Sequence, residues 1–124
     1  MSLNRRRFLQ TTAGAALAAP AMVKGALAGS HGPIKFVSIL DQSGGLDIYG
    51  KPMVDATKMA IDEMNEAGGL LGREIDLKVY DPQSSIQFYT QFATQAAAGD
   101  RADVVHAGIT SASREAIRPT FSRY

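Results

Sequence analysis

Ile34-Lys35-Phe36-Val37-Ser38-Ile39-Leu40 is a nearly continuous apolar run. A run of this length with no alternation fits a strand buried on both faces, as in a parallel sheet. The next strand-like segment, Glu74 to Asp81, behaves differently. Ile75, Leu77 and Val79 point one way, and Glu74, Asp76 and Lys78 the other. Strict alternation marks a half-buried strand, which belongs at a sheet edge. A third run, Ala102 to Ala107 around Val104 and Val105, is apolar again and belongs in the interior.

The segments between these runs have helical spacing. Pro52 opens the first predicted helix, with Met53, Thr57, Ala60, Ile61 and Met64 on one face. Gly68-Gly69 ends it, because glycine accepts the left-handed cap that other residues resist. Ser84-Ser85-Ile86-Gln87 carries a Ser-x-x-Gln capping pattern before a second helix. That helix has Ile86, Tyr89, Thr90, Ala93, Ala96 and Ala97 on one stripe and stops near Gly99. Arg114 to about Ser122 reads as a third helix, interrupted by Pro119, which lacks a backbone donor.

The element order is therefore strand–helix–strand–helix–strand–helix. Right-handed crossovers turn that order into an α/β fold, a partial doubly wound parallel sheet with helices on both faces. An edge-type second strand and interior first and third strands select the order 2-1-3. In such sheets ligands bind beyond the carboxyl ends of the strands, where the strand order reverses. That point lies between strands one and three, at the loops Asp41–Gly50 and Gly108–Ser113. Three strands make a small sheet, and the third helix has no fourth strand to return to. The expectation is a truncated lobe, incompletely stabilised on its own.

Residues 1–28 stand apart from this pattern. Arg5, Arg6 and Arg7 precede Phe8 and Leu9, and a weakly apolar Ala/Gly-rich stretch runs from Thr11 to Val23. Small residues at Ala26 and Ala28 then suit the pockets of signal peptidase. The pairing of Arg5 and Arg6 with Phe8 and Leu9 resembles a twin-arginine export signal, although Asn4 and Gln10 depart from its commonest residues. The apolar stretch is shorter than the ~20 residues that a membrane span requires. Residues 29–33 form a short leader, and 34–124 the α/β unit.

The signal also distorts the charge. The whole chain carries 13 basic and 12 acidic residues. Arg5, Arg6, Arg7 and Lys24 leave with the signal, so nine basic residues face twelve acidic ones and the remainder has a formal charge of −3. A mildly acidic chain without a basic cluster argues against nucleic acid as a partner. There are no cysteines among the 124 residues, which excludes thiol catalysis, zinc–thiolate sites and iron–sulfur clusters within them. Of the two histidines, His31 lies in the leader and His106 in a strand, where a packed or partly exposed strand residue is expected. No cofactor is expected.

Ser43-Gly44-Gly45 follows the first strand, where dinucleotide enzymes place glycines. The G-x-G-x-x-G spacing is absent, so a nucleotide site is not expected. Thr110-Ser111-Ala112-Ser113 leads into the third helix. Hydroxyls there either cap the helix or, with exposed N–H groups, contact a ligand. The pattern is not G-x-S-x-G, and no histidine stands ready as a general base. Tyr49, in a glycine-flanked loop, either packs onto the sheet or lines a cleft. Arg114 could pair with a carboxylate, but an exposed first-turn arginine is the commoner outcome.

Three stretches carry a family resemblance. They are Asp55 through Asn65, Gly68-Gly69-Leu70-Leu71-Gly72-Arg73, and the strand Leu77–Asp81. Together they resemble the first lobe of type I periplasmic binding proteins of the leucine/isoleucine/valine-binding family. Gly108-Ile109-Thr110-Ser111-Ala112-Ser113-Arg114-Glu115-Ala116 is similar to the branch that handles urea and short-chain amides. The resemblance covers residues 34 to 124. It implies two lobes closing on a small polar ligand, with Ser111 touching the ligand and Tyr49 lining the cleft. Thr110, Ala112 and Ser113 are the further candidates from this loop. It also implies a periplasmic, non-enzymatic receptor for an ABC permease, exported by the twin-arginine machinery and trimmed by signal peptidase. A periplasmic-binding-type amide sensor feeding a regulator is the alternative. An enzyme of the flavodoxin-like or hydrolase type is disfavoured by the missing base, cysteine and phosphate loop.

Overall fold

The computed structural model describes residues 32–124. Arg5, Arg6, Phe8 and Leu9, and the cleavage residues Ala26 and Ala28, lie outside the described residues. The central strand is β1 (Ile34–Ile39), and Ile34, Val37, Ser38 and Ile39 are buried, as a doubly covered strand requires. Strand β2 (Ile75–Tyr80) pairs parallel on one side, from Ile34↔Ile75 to Ile39↔Tyr80. Strand β3 (Val104–Ala107) pairs parallel on the other, from Phe36↔Val104 to Ile39↔Ala107. The order is β2-β1-β3, as the burial patterns predicted. Among the described residues β3 is the second edge, and Val104, expected in the interior, is 43% exposed.

Helix α1 (Asp47–Glu66) covers one face. Beneath it Ile34, Ile61 and Ile75 form a small core with Phe36 and Leu77. The opposite face is larger. There Val37 and Ile39 meet Tyr89 and Ala93 of helix α2 (Ile86–Thr94), Ala96 beyond it, and Ile117 of helix α3 (Ser111–Phe121). Each fully buried Val or Ile contributes roughly 1.5–3 kcal/mol, so these two clusters hold the layers together.

Helix α1 starts at Asp47, five residues before the expected Pro52, which lies inside it. An ion pair between Asp47 and Lys51, 2.7 Å long and one turn apart, supports the extra turn. The buried stripe also shifts. It runs Gly50, Val54, Ile61, while Ala60 is exposed and Met64 is 38% exposed. Gly50 sits directly on the Asp41 backbone, so this side of α1 faces inward. Gly68 (φ 106°) and Gly69 (φ 78°) end the helix as expected.

Helix α2 does not stop as an α-helix. Gln95–Asp100 continues it as a π-helix, closed by Arg101 in the left-handed region (φ 54°). The wider turn delivers Asp100 to the sheet, where it accepts hydrogen bonds from Lys78 Nζ and Tyr80 OH, each at 2.7 Å. Lys78 in turn lies over the Tyr80 ring, 5.0 Å from its centroid, which anchors the β2 edge.

Candidate functional site

The carboxyl ends of β1 and β2 lead into loops knitted together by two carboxylates. Asp41 lies two residues beyond the end of β1 and is itself fully buried. Its Oδ2 accepts a hydrogen bond from Tyr89 OH at 2.7 Å, and its Oδ1 accepts one from the Ser84 backbone N–H. Burial pushes the Tyr89 phenol well above its usual range, reinforced by Asp41 and opposed by the Ile109 backbone and the Ser113 hydroxyl. Tyr89 thus ties α2 to the loop that follows β1.

Asp81 performs the same task from β2. Its Oδ1 accepts from the N–H groups of Gln42 (2.9 Å), Gln83 (3.0 Å) and Ser43 (3.3 Å). Its Oδ2 accepts from Ser43 Oγ at 2.7 Å. Burial alone would raise the Asp81 pKa. The Ser43 hydroxyl and the three backbone donors outweigh it, and the carboxyl is held below its ordinary value. Ser84 Oγ accepts from Leu46 N–H at 3.0 Å, and Ser85 is the residue that precedes α2. The Ser-x-x-Gln cap predicted there does not form, because Ser84 is drawn into the loop network instead.

Gly50 is buried where α1 crosses the β1 loop. A Cβ on it would lie 1.7 Å from the Asp41 carbonyl oxygen. Tyr49, the residue before it, projects outward and is 60% exposed. The expected loop around Tyr49 is thus the first turn of α1, standing beyond the carboxyl end of β1.

After β3, Gly108 takes φ 85°, and the Arg114 stem lies against it; a Cβ there would meet Arg114 Cγ at 2.4 Å. Thr110 then caps α3. Its Oγ1 accepts from Ser113 N–H at 3.1 Å, and Ser113 Oγ accepts from Thr110 N–H at 3.1 Å. Ser113 is buried within this reciprocal box. Ser111 and Ala112 are exposed in the first turn. Arg114 Nη2 lies 3.5 Å from Ser111 Oγ.

The structure therefore sorts the candidates from the Thr110–Ser113 loop. Thr110 and Ser113 build the helix start, while Ser111 and Ala112 face outward from it. Tyr49 and Ser111 occupy the first turns of helices that follow adjacent parallel strands. Among the described residues no histidine stands beside them as a general base. His106 Nδ1 is 3.4 Å from Thr57 Oγ1 on the face covered by α1. The Thr57 hydroxyl donates to the Met53 carbonyl at 2.7 Å. Among the described residues no group of three or more His, Cys, Asp or Glu is gathered to hold a metal ion. Sequence reasoning passed over Asp41, Asp81 and Tyr89. Asp41 and Asp81, each at the carboxyl end of a strand, were the available signal.

The periplasmic binding protein domain family matches residues 34–124. No curated protein matches the chain. Among solved structures, the branched-chain amino acid transporter substrate-binding protein of Streptococcus pneumoniae, in complex with isoleucine, is 25% identical with a TM-score of 0.71. That match covers 73% of this chain and 26% of that one. A putative branched-chain amino acid ABC transporter protein from Silicibacter pomeroyi is 30% identical over 59% of this chain and 19% of its own, with a TM-score of 0.56. A fatty acid ABC transporter substrate-binding protein from Thermomonospora curvata is 21% identical, with a TM-score of 0.64 over 74% of this chain and 23% of its own, and shows the fold alone. The chain thus spans about a quarter or less of the length of these structures.

Proposed function

The chain belongs to the periplasmic binding protein domain family, and from that premise we propose that it serves as the substrate-binding component of an ABC-type importer. Its ligand is a small polar molecule: urea, a short-chain amide or a branched-chain amino acid. It acts in the periplasm without catalysing a reaction, and presents its closed form to an inner-membrane permease. Twin-arginine export through Arg5, Arg6, Phe8 and Leu9, followed by cleavage after Ala28, brings it there.

The observation that carries this reading is the pair of exposed first turns beyond adjacent strand ends. Ser111 offers a hydroxyl there and Tyr49 an aromatic ring, over a rigid floor made by Asp41, Tyr89 and the Thr110–Ser113 cap. Ligand contacts on such a surface favour a closed state when a second lobe supplies the opposite wall. Arg114 beside Ser111 favours a ligand carboxylate, which amino acids have and urea lacks.

Thermal-shift titration with urea, acetamide, formamide, leucine and isoleucine tests the proposal. One chemical class is expected to stabilise the protein, by about 2.7 kcal/mol at a hundredfold excess over Kd. Ser111→Ala is expected to weaken that ligand by about 1 kcal/mol. Stabilisation by none of the five sinks the reading. An unchanged affinity in Ser111→Ala returns Ser111 to a purely structural place in the α3 first turn.

A further inference from the structure

We propose that the outer edge of β2 binds an extended peptide segment of another protein by strand addition, a segment aromatic at one end and basic at the other. Asn65 shows how this edge pairs. From the end of α1 its carboxamide accepts the Ile75 N–H at 2.8 Å and donates to the Ile75 carbonyl at 2.9 Å. A neighbouring strand makes the same two-pronged contact, supplied here by a side-chain amide. The Glu74 and Tyr80 carbonyls turn the other way and accept from Ile34 and Leu40, at 2.8 and 3.2 Å. Successive residues of a strand direct their backbone groups to opposite sides, so those of Leu77 and Val79 face outward with those of Ile75. Among the described residues no strand lies on that side of β2.

The side chains beside this edge define what would settle there. Tyr80 stacks on Phe92 of α2, with ring centroids 4.7 Å apart and planes 13° apart, and Phe88 extends the ladder at 6.1 Å from Phe92. Along it runs a groove of about 860 Å³ lined in part by Tyr80, Gln91, Phe92, Thr94 and Gln95. Neither Tyr49 nor Ser111 borders it, so it is separate from the candidate ligand surface. Alternate side chains of an added strand would drop onto this face, opposite Tyr80, Lys78 and Asp76. Opposite Tyr80 an aromatic ring continues the ladder over the groove. Lys78 is already paired with Asp100, so a small polar residue suffices there. Asp76 is exposed and forms no ion pair among the described residues. Its register partner Lys35 turns instead to the Asp100 carbonyl at 3.0 Å. A cation on the incoming strand would complement Asp76.

A second copy of the chain fits this edge poorly. Antiparallel pairing through Leu77 and Val79 of both copies sets Lys78 opposite Lys78, and like charges directly opposite are destabilising. The edge therefore suits a strand of different sequence, and strand addition of this kind takes its affinity from main-chain hydrogen bonds and its selectivity from alternate side chains.

Titration of the isotope-labelled full chain with acetyl-Phe-Thr-Ser-Thr-Lys-amide, followed by NMR and amide hydrogen exchange, tests this. Antiparallel to β2, the peptide sets its phenylalanine opposite Tyr80, its threonines opposite Val79 and Leu77, and its lysine opposite Asp76. Binding is expected, with the Leu77 and Val79 amides exchanging severalfold more slowly. N-methylation of both threonines removes the two main-chain donors and keeps every side chain. It is expected to weaken binding roughly tenfold or more. Asp76→Lys, an exposed change, is expected to weaken the peptide severalfold, and replacing the peptide's lysine by glutamate to restore binding to that variant. Absence of binding at millimolar peptide overturns the proposal, as does equal binding of the N-methylated peptide. Protection of Val104–Ala107 in place of Leu77 and Val79 overturns it by moving the site to the other edge. Protection of Leu77 and Val79 that rises with protein concentration, without peptide, gives the edge to a second copy and overturns it too. Failure of the charge swap to restore binding overturns the pairing of the basic end with Asp76.

Discussion

Gly50 shows how one residue can set the geometry of a site. In a helix interior glycine costs about 1 kcal/mol relative to alanine, so propensity alone favours Gly50→Ala. The structure opposes this. The added methyl carbon would sit 1.7 Å from the Asp41 carbonyl oxygen, and backbone cannot step aside as a side chain can. Overpacking of this kind costs about 1–3 kcal/mol, and here it exceeds the propensity gain. Denaturant unfolding of Gly50→Ala is expected to show a net destabilisation; equal or greater stability would mean that α1 does not press on the β1 loop. The sequence displayed Gly50 only as one of several loop glycines. The need for it appears once Asp41 is seen to lie under α1, a contact between residues that no local pattern connects. Tyr49 shares that fate. Its candidacy for the cleft was readable, but its place on a helical turn was not.

At the scale of elements, the α3 start illustrates what a motif can and cannot say. Thr110-Ser111-Ala112-Ser113 offers three hydroxyls, any of which could cap. The backbone turns helical at Ser111, so Thr110 becomes the cap and Ser113 its reciprocal partner. Thr110→Ala is expected to cost about 1 kcal/mol in thermal or denaturant stability. Ser111→Ala should leave stability nearly unchanged, since Ser111 takes no part in the box. A comparable loss in both variants would remove the distinction between capping and outward-facing hydroxyls. The α1 start was misplaced by five residues because Pro52 reads as an opening signal. The Asp47–Lys51 pair and the close fit of Gly50 extend the helix behind it. Element existence and order were legible because burial on one or both faces imposes its own periodicity. Element ends were not, because caps compete with tertiary partners, as Ser84 does when it leaves its predicted cap for Leu46.

At the scale of the whole molecule, the two edges that the sheet has among the described residues are finished differently. The β2 edge carries Asp76 and Lys78, and Lys78 is clamped by Asp100. The β3 edge has no such charge among its four residues, Val104 to Ala107. It borders a groove of about 680 Å³ lined in part by Val105, Ala107, Ile117 and Phe121. An edge strand without a charged residue, beside a groove that Arg101 and Asp103 line together with those apolar side chains, invites strand pairing between chains. Light scattering of the isolated chain is expected to rise with concentration, and Val104→Lys to suppress the rise. Equal scattering from both would acquit the β3 edge. Residue patterns by themselves determined the α/β class and the order β2-β1-β3. Those follow from which faces of each strand must leave water, a property that each segment carries in its own side chains. Only the tertiary structure decided that Asp41, Asp81 and Tyr89 join the loops after β1 and β2, that Thr110 and Ser113 are spent on a cap, and that Arg73 donates to the Gly32 and Pro33 carbonyls at the entry to β1. Each of those depends on a partner dozens of residues away or on the exact residue where a helix begins, and folding alone brings such groups within hydrogen-bond reach.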